Sequence, residues 1–195
     1  MTKIERAIGF ALEAHKGQKR KGKDRAYILH PLEVLAIVGS MTEDEDVLAA
    51  AVLHDTVEDT GTTPEDIEKE FGPRVRALMM AESEDKMPDS PAPDTWQARK
   101  EATLQHLKKA GRDVKLICLG DKLANLREIA RDYADLGDKL WQRFNQKCKK
   151  QHAWYYGSLC DILEEEFTQI SAIEEYRRLL GEVFETEDRG RDSGI

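Results

Sequence analysis

Val47-Leu-Ala-Ala-Ala-Val-Leu53 runs directly into His54-Asp55-Thr56-Val57-Glu58-Asp59-Thr60. A fully apolar run of this length predicts a buried helix, and a histidine and three carboxylates arrive together where it ends. At about 100° per residue, positions 54, 55, 58 and 59 of a continuing helix fall within an arc of about 140°. Three like charges so close raise one another's pKa unless a cation lies among them. Histidine with carboxylates is a donor set that suits a first-row divalent metal. The stretch therefore predicts a metal site with two acid–base residues, Glu58 and Asp59, built in. Taken alone, His54-Asp55 also fits a plain helix end, with the imidazole on the last carbonyls and Asp55 capping the next helix.

Two other stretches supply the remaining donors. In Tyr27-Ile28-Leu29-His30-Pro31 the histidine stands immediately before a proline that can open a helix. In Leu119-Gly120-Asp121-Lys122-Leu123-Ala124-Asn125-Leu126-Arg127, Asp121 and Asn125 share a helix face inside an otherwise apolar segment. A carboxylate in such surroundings is costly unless paired or coordinated. His30, His54, Asp55 and Asp121 make two imidazoles and two carboxylates, leaving coordination positions for water and substrate. Asp121 has a second reading, a buried salt bridge to Lys122 or Arg127.

The chain has 195 residues, 40% hydrophobic and 35% charged, enough for one domain with a substantial core. No apolar stretch reaches the ~18 residues of a membrane span. The amino terminus, Met1-Thr-Lys-Ile-Glu-Arg6, leads into an amphipathic helix without the apolar core of a signal peptide. Cys118, Cys148 and Cys160 are odd in number and widely spaced, which fits a reducing cytoplasm rather than a disulfide frame or a zinc–thiolate site. A net charge of −8 argues against a nucleic-acid partner. Against that background, Lys16, Lys19, Arg20, Lys21, Lys23 and Arg25 place six positive charges in ten residues. Such a cluster is either a solvated loop or, lying just before His30, a site for a polyphosphate-bearing small molecule.

The rest reads as helix after helix, an all-α chain with no period-2 strand, repeat or linker. Helices are expected over 2–16, with a capping box of Thr2 and Glu5 and a stripe of Ile4, Ala7, Ile8, Ala11 and Leu12. Others follow over 31–40, 43–57 (opened by Thr42), 63–70, 72–81, 94–110, 112–131, 138–166 and 168–186. Lys86–Thr95 holds three of the six prolines and reads as a loop, a candidate rim or lid. Residues 1–186 are expected to form one domain, and 187–195 a charged, disordered tail. His15, His106 and His152 have no comparable setting and read as structural. Trp96 and Arg99 are candidates for contact with substrate, although Trp96 equally suits the core. His152-Ala-Trp-Tyr-Tyr156 reads as a core stripe.

The ordered motifs resemble the HD-domain metal-dependent phosphohydrolases, whose name describes the pair His54-Asp55. The closer resemblance is to the hydrolase domain of the RelA/SpoT alarmone enzymes and to the stand-alone small alarmone hydrolases. It begins at Ala14-His-Lys-Gly-Gln-Lys-Arg-Lys21 and Tyr27-Ile-Leu-His-Pro31. It continues through Ala51–Thr60, Phe71-Gly72, Asp85-Lys86 and Asp121–Arg127, over residues 1 to about 160. The resemblance implies an all-α, single-domain HD-type helical bundle. It assigns Arg20 and Lys21 to the base and phosphates, Tyr27 and Asn125 to the walls of the nucleoside pocket, and Asp85-Lys86 to the edge of the site. The chain departs from the long enzymes at Lys122, where they carry Arg, and at Ala124, where they carry His. It also lacks their Val-Thr before Asp85. These departures touch guanine specificity more than the metal donors, and no synthetase is expected in 195 residues.

The implied activity is hydrolysis of the 3′-pyrophosphate of guanosine alarmones, (p)ppGpp, to GDP or GTP and pyrophosphate. Glu58 and Asp59 are expected to orient water or shuttle a proton. One divalent ion is expected, and Mn²⁺ suits the mixed nitrogen and oxygen donors. Two alternatives are a phosphohydrolase of another phosphorylated nucleotide and a non-catalytic nucleotide sensor. The expected partner is a small-molecule nucleotide in the cytoplasm, with neither nucleic acid nor membrane. The sequence carries no signal of oligomeric state.

Overall fold

The structure, a computed structural model, describes residues 1–82 and 92–185. Its elements in chain order are α1 (Lys3–Ala14), α2 (Leu29–Gly39), α3 (Glu45–Leu53), α4 (Thr56–Asp59), α5 (Pro64–Phe71), α6 (Pro73–Glu82), α7 (Ala92–Lys109) and α8 (Arg112–Leu136). A 3-10 stretch, Gly137–Arg143, then leads to α9 (Lys149–Glu164) and α10 (Ser171–Phe184). The fold is all-α. The described residues hold one isolated antiparallel bridge, Lys19 to Ala26, and no longer strand. No described helix is long and apolar enough to cross a membrane.

The described residues fall into two compact units, one from 1–82 with 109–124 and the other from 92–108 with 125–185. In the first, every residue of Val47–Leu53 on α3 is buried. That helix packs against α1, α2 and α6, and α5 lies on α6. A helix apolar on all sides has to sit at the centre of its unit. Full burial of each Val or Leu contributes roughly 1.5–3 kcal/mol. In the second unit α10 packs on α9. Trp141 stacks on His152 and Phe184, with ring centroids 5.0 and 5.6 Å away. Tyr155 and Tyr156 are buried on the same α9 face, as a core stripe requires, while Trp154 is part-exposed.

Local chemistry explains most helix boundaries. Thr2 and Glu5 form the expected capping box on α1, and Thr63 and Asp66 form another on α5, with Pro64 in its first turn. Three expectations are corrected. Leu12, placed on the buried stripe of α1, is 46% exposed. The cap of α3 is Asp44 rather than Thr42. The Asp44 carboxylate accepts from the amides of Asp46 and Val47 at 2.9 and 3.3 Å, while the Thr42 hydroxyl accepts only from the Asp44 amide. The single helix expected over 138–166 is a 3-10 stretch and α9, separated by residues 144–148. Most of the expected Lys86–Thr95 loop, the motif Asp85-Lys86 and the expected tail 187–195 lie outside the described residues, and residues 92–95 belong to α7.

Candidate metal centre

The helix that carries His54 does not continue through Glu58, as the sequence reading assumed. It ends at Leu53, and the chain turns at His54-Asp55 before the short α4. His54 Nδ1–H donates to the Ala51 carbonyl at 2.8 Å, so the imidazole occupies one of the last-turn carbonyls of α3. Asp55 makes no capping bond to α4. The plain helix-end reading thus describes the imidazole but leaves the carboxylate unexplained.

That tautomer leaves Nε2 of His54 with a lone pair facing inward. Nε2 is buried and has no hydrogen-bond partner among the described residues. It lies 3.0 Å from Asp55 Oδ2 and 3.7 Å from Asp121 Oδ1. His30 Nε2 lies 3.1 Å from the same Asp121 oxygen and 3.6 Å from the same Asp55 oxygen. The four atoms form a ring of alternating nitrogen and oxygen, and donor atoms of His30, His54 and Asp121 all lie within 4.8 Å of one another. Neighbouring donors about 2.1 Å from a common ion are about 3.0–3.4 Å apart in square or tetrahedral arrangements. Two of the four neighbouring separations in the ring lie in that range, and the other two, 3.6 and 3.7 Å, lie a few tenths of an ångström above it, so these residues could hold a divalent cation with a small contraction.

Electrostatics agree with that fit. Burial lowers the pKa of His54, but the charges of Asp55 and Asp121 outweigh it and hold the imidazole well above its ordinary value. Burial works to raise Asp55 and Asp121, yet both carboxyls are held below the usual carboxylate range. His54 is the largest opposing influence on Asp55, and Lys122 on Asp121. Carboxylates held ionised and an imidazole drawn towards its cationic form describe a cluster arranged around one positive charge. The salt-bridge reading of Asp121 is half of the picture. Lys122 Nζ donates to Oδ2 at 2.5 Å while Oδ1 faces the two histidines, and Arg127 instead pairs with Glu175.

Each donor is placed by a sequence feature. His30 sits in the first turn of α2, where the proline that follows it needs no amide partner. Asp121 sits on α8 directly after Gly120, whose missing side chain lets α8 approach Val34 and Val38 of α2. Glu58 is half-buried and Asp59 exposed on α4, one turn beyond the ring.

The basic segment is folded rather than loose. Arg20 N–H donates to the Arg25 carbonyl, Tyr27 N–H donates to the Gln18 carbonyl, and Gly22 turns the chain at φ 74°. Arg20 is half-buried, with its guanidinium carbon 5.5 Å from the Tyr27 ring centroid, and Lys21 is exposed. The Tyr27 hydroxyl donates to Asp55 Oδ2 and lies 2.9 Å from Asp59 Oδ2. Burial first, then the charges of Asp55 and Asp59, push its phenol far above the ordinary value, so it remains a donor. Two residues hold this segment, His15, which the sequence reads as structural, and Gln18, to which sequence reasoning gave no role of its own. Their signal was their place in the motif Ala14–Lys21, not any periodicity. Asn125 is half-buried on α8 within the second unit. Trp96 is buried there against His152 and Tyr155, a core residue.

Residues 7–148 match the HD domain family. Among curated proteins, the guanosine-3′,5′-bis(diphosphate) 3′-pyrophosphohydrolase MESH1 of Xenopus tropicalis is 42% identical over 132 residues, which cover 66% of this chain and 70% of that protein. Its Drosophila melanogaster counterpart is 38% identical over 131 residues, with the same coverage of each. A solved structure, described as that of a metazoan ortholog of SpoT that hydrolyzes ppGpp and plays a role in starvation responses, matches with a TM-score of 0.73 at 29% identity. The match covers 92% of this chain and 94% of that one.

Proposed function

Because the chain belongs to the HD-domain family, we propose that it is a metal-dependent phosphohydrolase that removes the 3′-pyrophosphate of guanosine alarmones. The observation that carries the reading is the ring of two imidazole nitrogens and two carboxylate oxygens around the unpartnered His54 Nε2, one turn from Glu58 and Asp59. The similarity to two proteins named for this 3′-pyrophosphohydrolase activity supports the substrate. Residues 1–186 act as one domain in this reading.

His30, His54, Asp55 and Asp121 would hold the ion. When bound, it lowers the pKa of a water molecule and draws charge from a phosphoryl oxygen. Mn²⁺ is the proposed native metal, since nitrogen and oxygen donors are mixed, although zinc or nickel binds the same set more tightly. Asp59 and Glu58 take a proton from the attacking water and return one to the 3′-oxygen that leaves. Water adds to phosphorus, the bond from phosphorus to the 3′-oxygen breaks, and the products are pyrophosphate and a nucleotide with a free 3′-hydroxyl. Arg20 and Lys21 hold the base and phosphates, Arg through its planar face, and Tyr27 and Asn125 border the nucleoside. The free thiols Cys118, Cys148 and Cys160 support a reducing, cytoplasmic setting.

The test is a turnover panel with added Mn²⁺ that compares (p)ppGpp, nucleotides carrying only 3′- or 5′-monophosphates, and a generic phosphodiester. One pyrophosphate released per alarmone, faster than any other turnover, is the expected result. Equal rates on the generic diester would overturn the alarmone assignment. Tight nucleotide binding without turnover would favour a sensor.

A further inference from the structure

Asp59 is gripped at both ends by the segment between α1 and α2. Its backbone carbonyl accepts from Gln18 Nε2 at 2.7 Å, and its carboxylate meets the Tyr27 hydroxyl at 2.9 Å. The same hydroxyl donates to Asp55 Oδ2, the oxygen that faces both His30 and His54. The one phenolic proton thus lies between a proposed metal donor and a proposed acid–base residue and is shared by their two carboxylates.

The tyrosine is itself fixed. Its ring stacks on buried His15, with centroids 4.8 Å apart and planes at 30°. Gln18 points Nε2 at the Asp59 carbonyl, so its Oε1 is left to accept from His15 Nδ1 at 2.8 Å. One glutamine therefore sets the tautomer of the imidazole under Tyr27 and holds the backbone of Asp59. The Arg20 guanidinium, 5.5 Å from the ring centroid, is a further neighbour of that ring. The ring is occupied by protein, and its hydroxyl is the working end.

We propose that Tyr27 is a positioning residue for the hydrolytic reaction: its hydroxyl, held in place by His15 and Gln18, fixes the carboxylate of Asp59 relative to that of Asp55. This role differs from bordering the nucleoside, and it rests on the reading of Asp59 as an acid–base residue given above. An acid–base group one turn from the metal donors, the exposed last residue of a four-residue helix, has little else to hold its rotamer. Displacement of about 1 Å in such a group costs up to ~10²-fold in rate. A hydrogen bond to a metal-donor carboxylate also orients the donor, and its loss typically weakens metal binding about 10- to 100-fold.

The experiment uses the full chain with Tyr27→Phe, which keeps the ring against His15 and removes only the hydroxyl. At saturating Mn²⁺, kcat for (p)ppGpp is expected to fall at least ~10-fold with KM within about twofold. In an Asp59→Asn background the same change is expected to cost no more than about twofold, because the residue through which Tyr27 acts is already disabled. Mn²⁺ titration in the absence of nucleotide is expected to show binding weakened about tenfold by Tyr27→Phe and unchanged by Asp59→Asn. Losses that multiply in the double variant, an effect confined to KM, or unchanged Mn²⁺ affinity in Tyr27→Phe would each overturn the proposal. If the wild-type chain turns over no alarmone, the proposed function fails, and the Mn²⁺ titration alone decides the role of Tyr27.

Discussion

A β-carbon built on Gly120 meets Cγ2 of Val38 at 2.5 Å, so α8 lies on α2 with no room for a side chain one residue before Asp121. Gly120→Ala sets two effects against each other. Helix propensity favours alanine by about 1 kcal/mol. The overpacked contact costs about 1–3 kcal/mol, and valine is too stiff at χ1 to retreat easily. Overpacking should win, with a lowered Tm and a displaced Asp121. Thermal melts together with metal content of the purified variant measure both. A variant as stable and as well loaded as wild type would mean that the close approach does not place Asp121.

Glu58→Gln and Asp59→Asn keep the shape of each side chain and remove its proton-transfer capacity. Each should lower kcat by at least ~10²-fold while metal stays bound. Steady-state kinetics beside elemental analysis checks this. Wild-type rates in both variants would require a different base.

Arg20 is half-buried against the Tyr27 ring, whereas Lys21 is exposed. Arg20→Ala should raise KM for an alarmone roughly ten- to a hundredfold, about 1.4–2.8 kcal/mol. Arg20→Lys should recover part of that loss, because lysine keeps the charge without the planar face. Lys23→Ala is the control and should do much less. Equal, small effects at Arg20, Lys21 and Lys23 would describe a solvated charge cluster.

In the second unit, Arg127 grips Glu175 with two parallel bonds of 2.8 and 2.6 Å from α8 to α10. The hydrogen bonds from Arg127, more than offsetting burial, lower the Glu175 pKa below its ordinary value. The sign follows: the folded state binds this proton less readily than the unfolded state. The pair therefore stabilises fully above the unfolded carboxylate pKa of about 4.3, and its contribution is lost as pH falls through the folded value. Glu175→Gln should cost about 1 kcal/mol at pH 7, and that difference should shrink in acid melts below about pH 4. A difference independent of pH would assign the cost to packing.

Much of this fold was legible because its signals are local. Thr2 with Glu5 announced a helix start through bonds spanning three residues, and the unbroken Val47–Leu53 announced a helix buried on all sides. The break at His54-Asp55 was not legible, since neither glycine nor proline marks it and Val57 continues the apolar pattern. It arises from an imidazole bonding to the carbonyl three residues behind it. The proposed donor residues were visible as residue types, and Gly120 explained only afterwards how Asp121 reaches His30. The bonds of Gln18 and Tyr27 to Asp59 span 41 and 32 residues and join non-periodic segments, so no sequence pattern carried them.

Metal content measures whether His30, His54, Asp55 and Asp121 hold one divalent ion, as proposed. Elemental analysis of protein loaded with Mn²⁺ and freed of excess should find one ion per wild-type chain. In Asp55→Ala, which loses an oxygen lying 3.0 Å from His54 Nε2 and 3.6 Å from His30 Nε2, it should find essentially none. Full occupancy in Asp55→Ala would contradict the assignment.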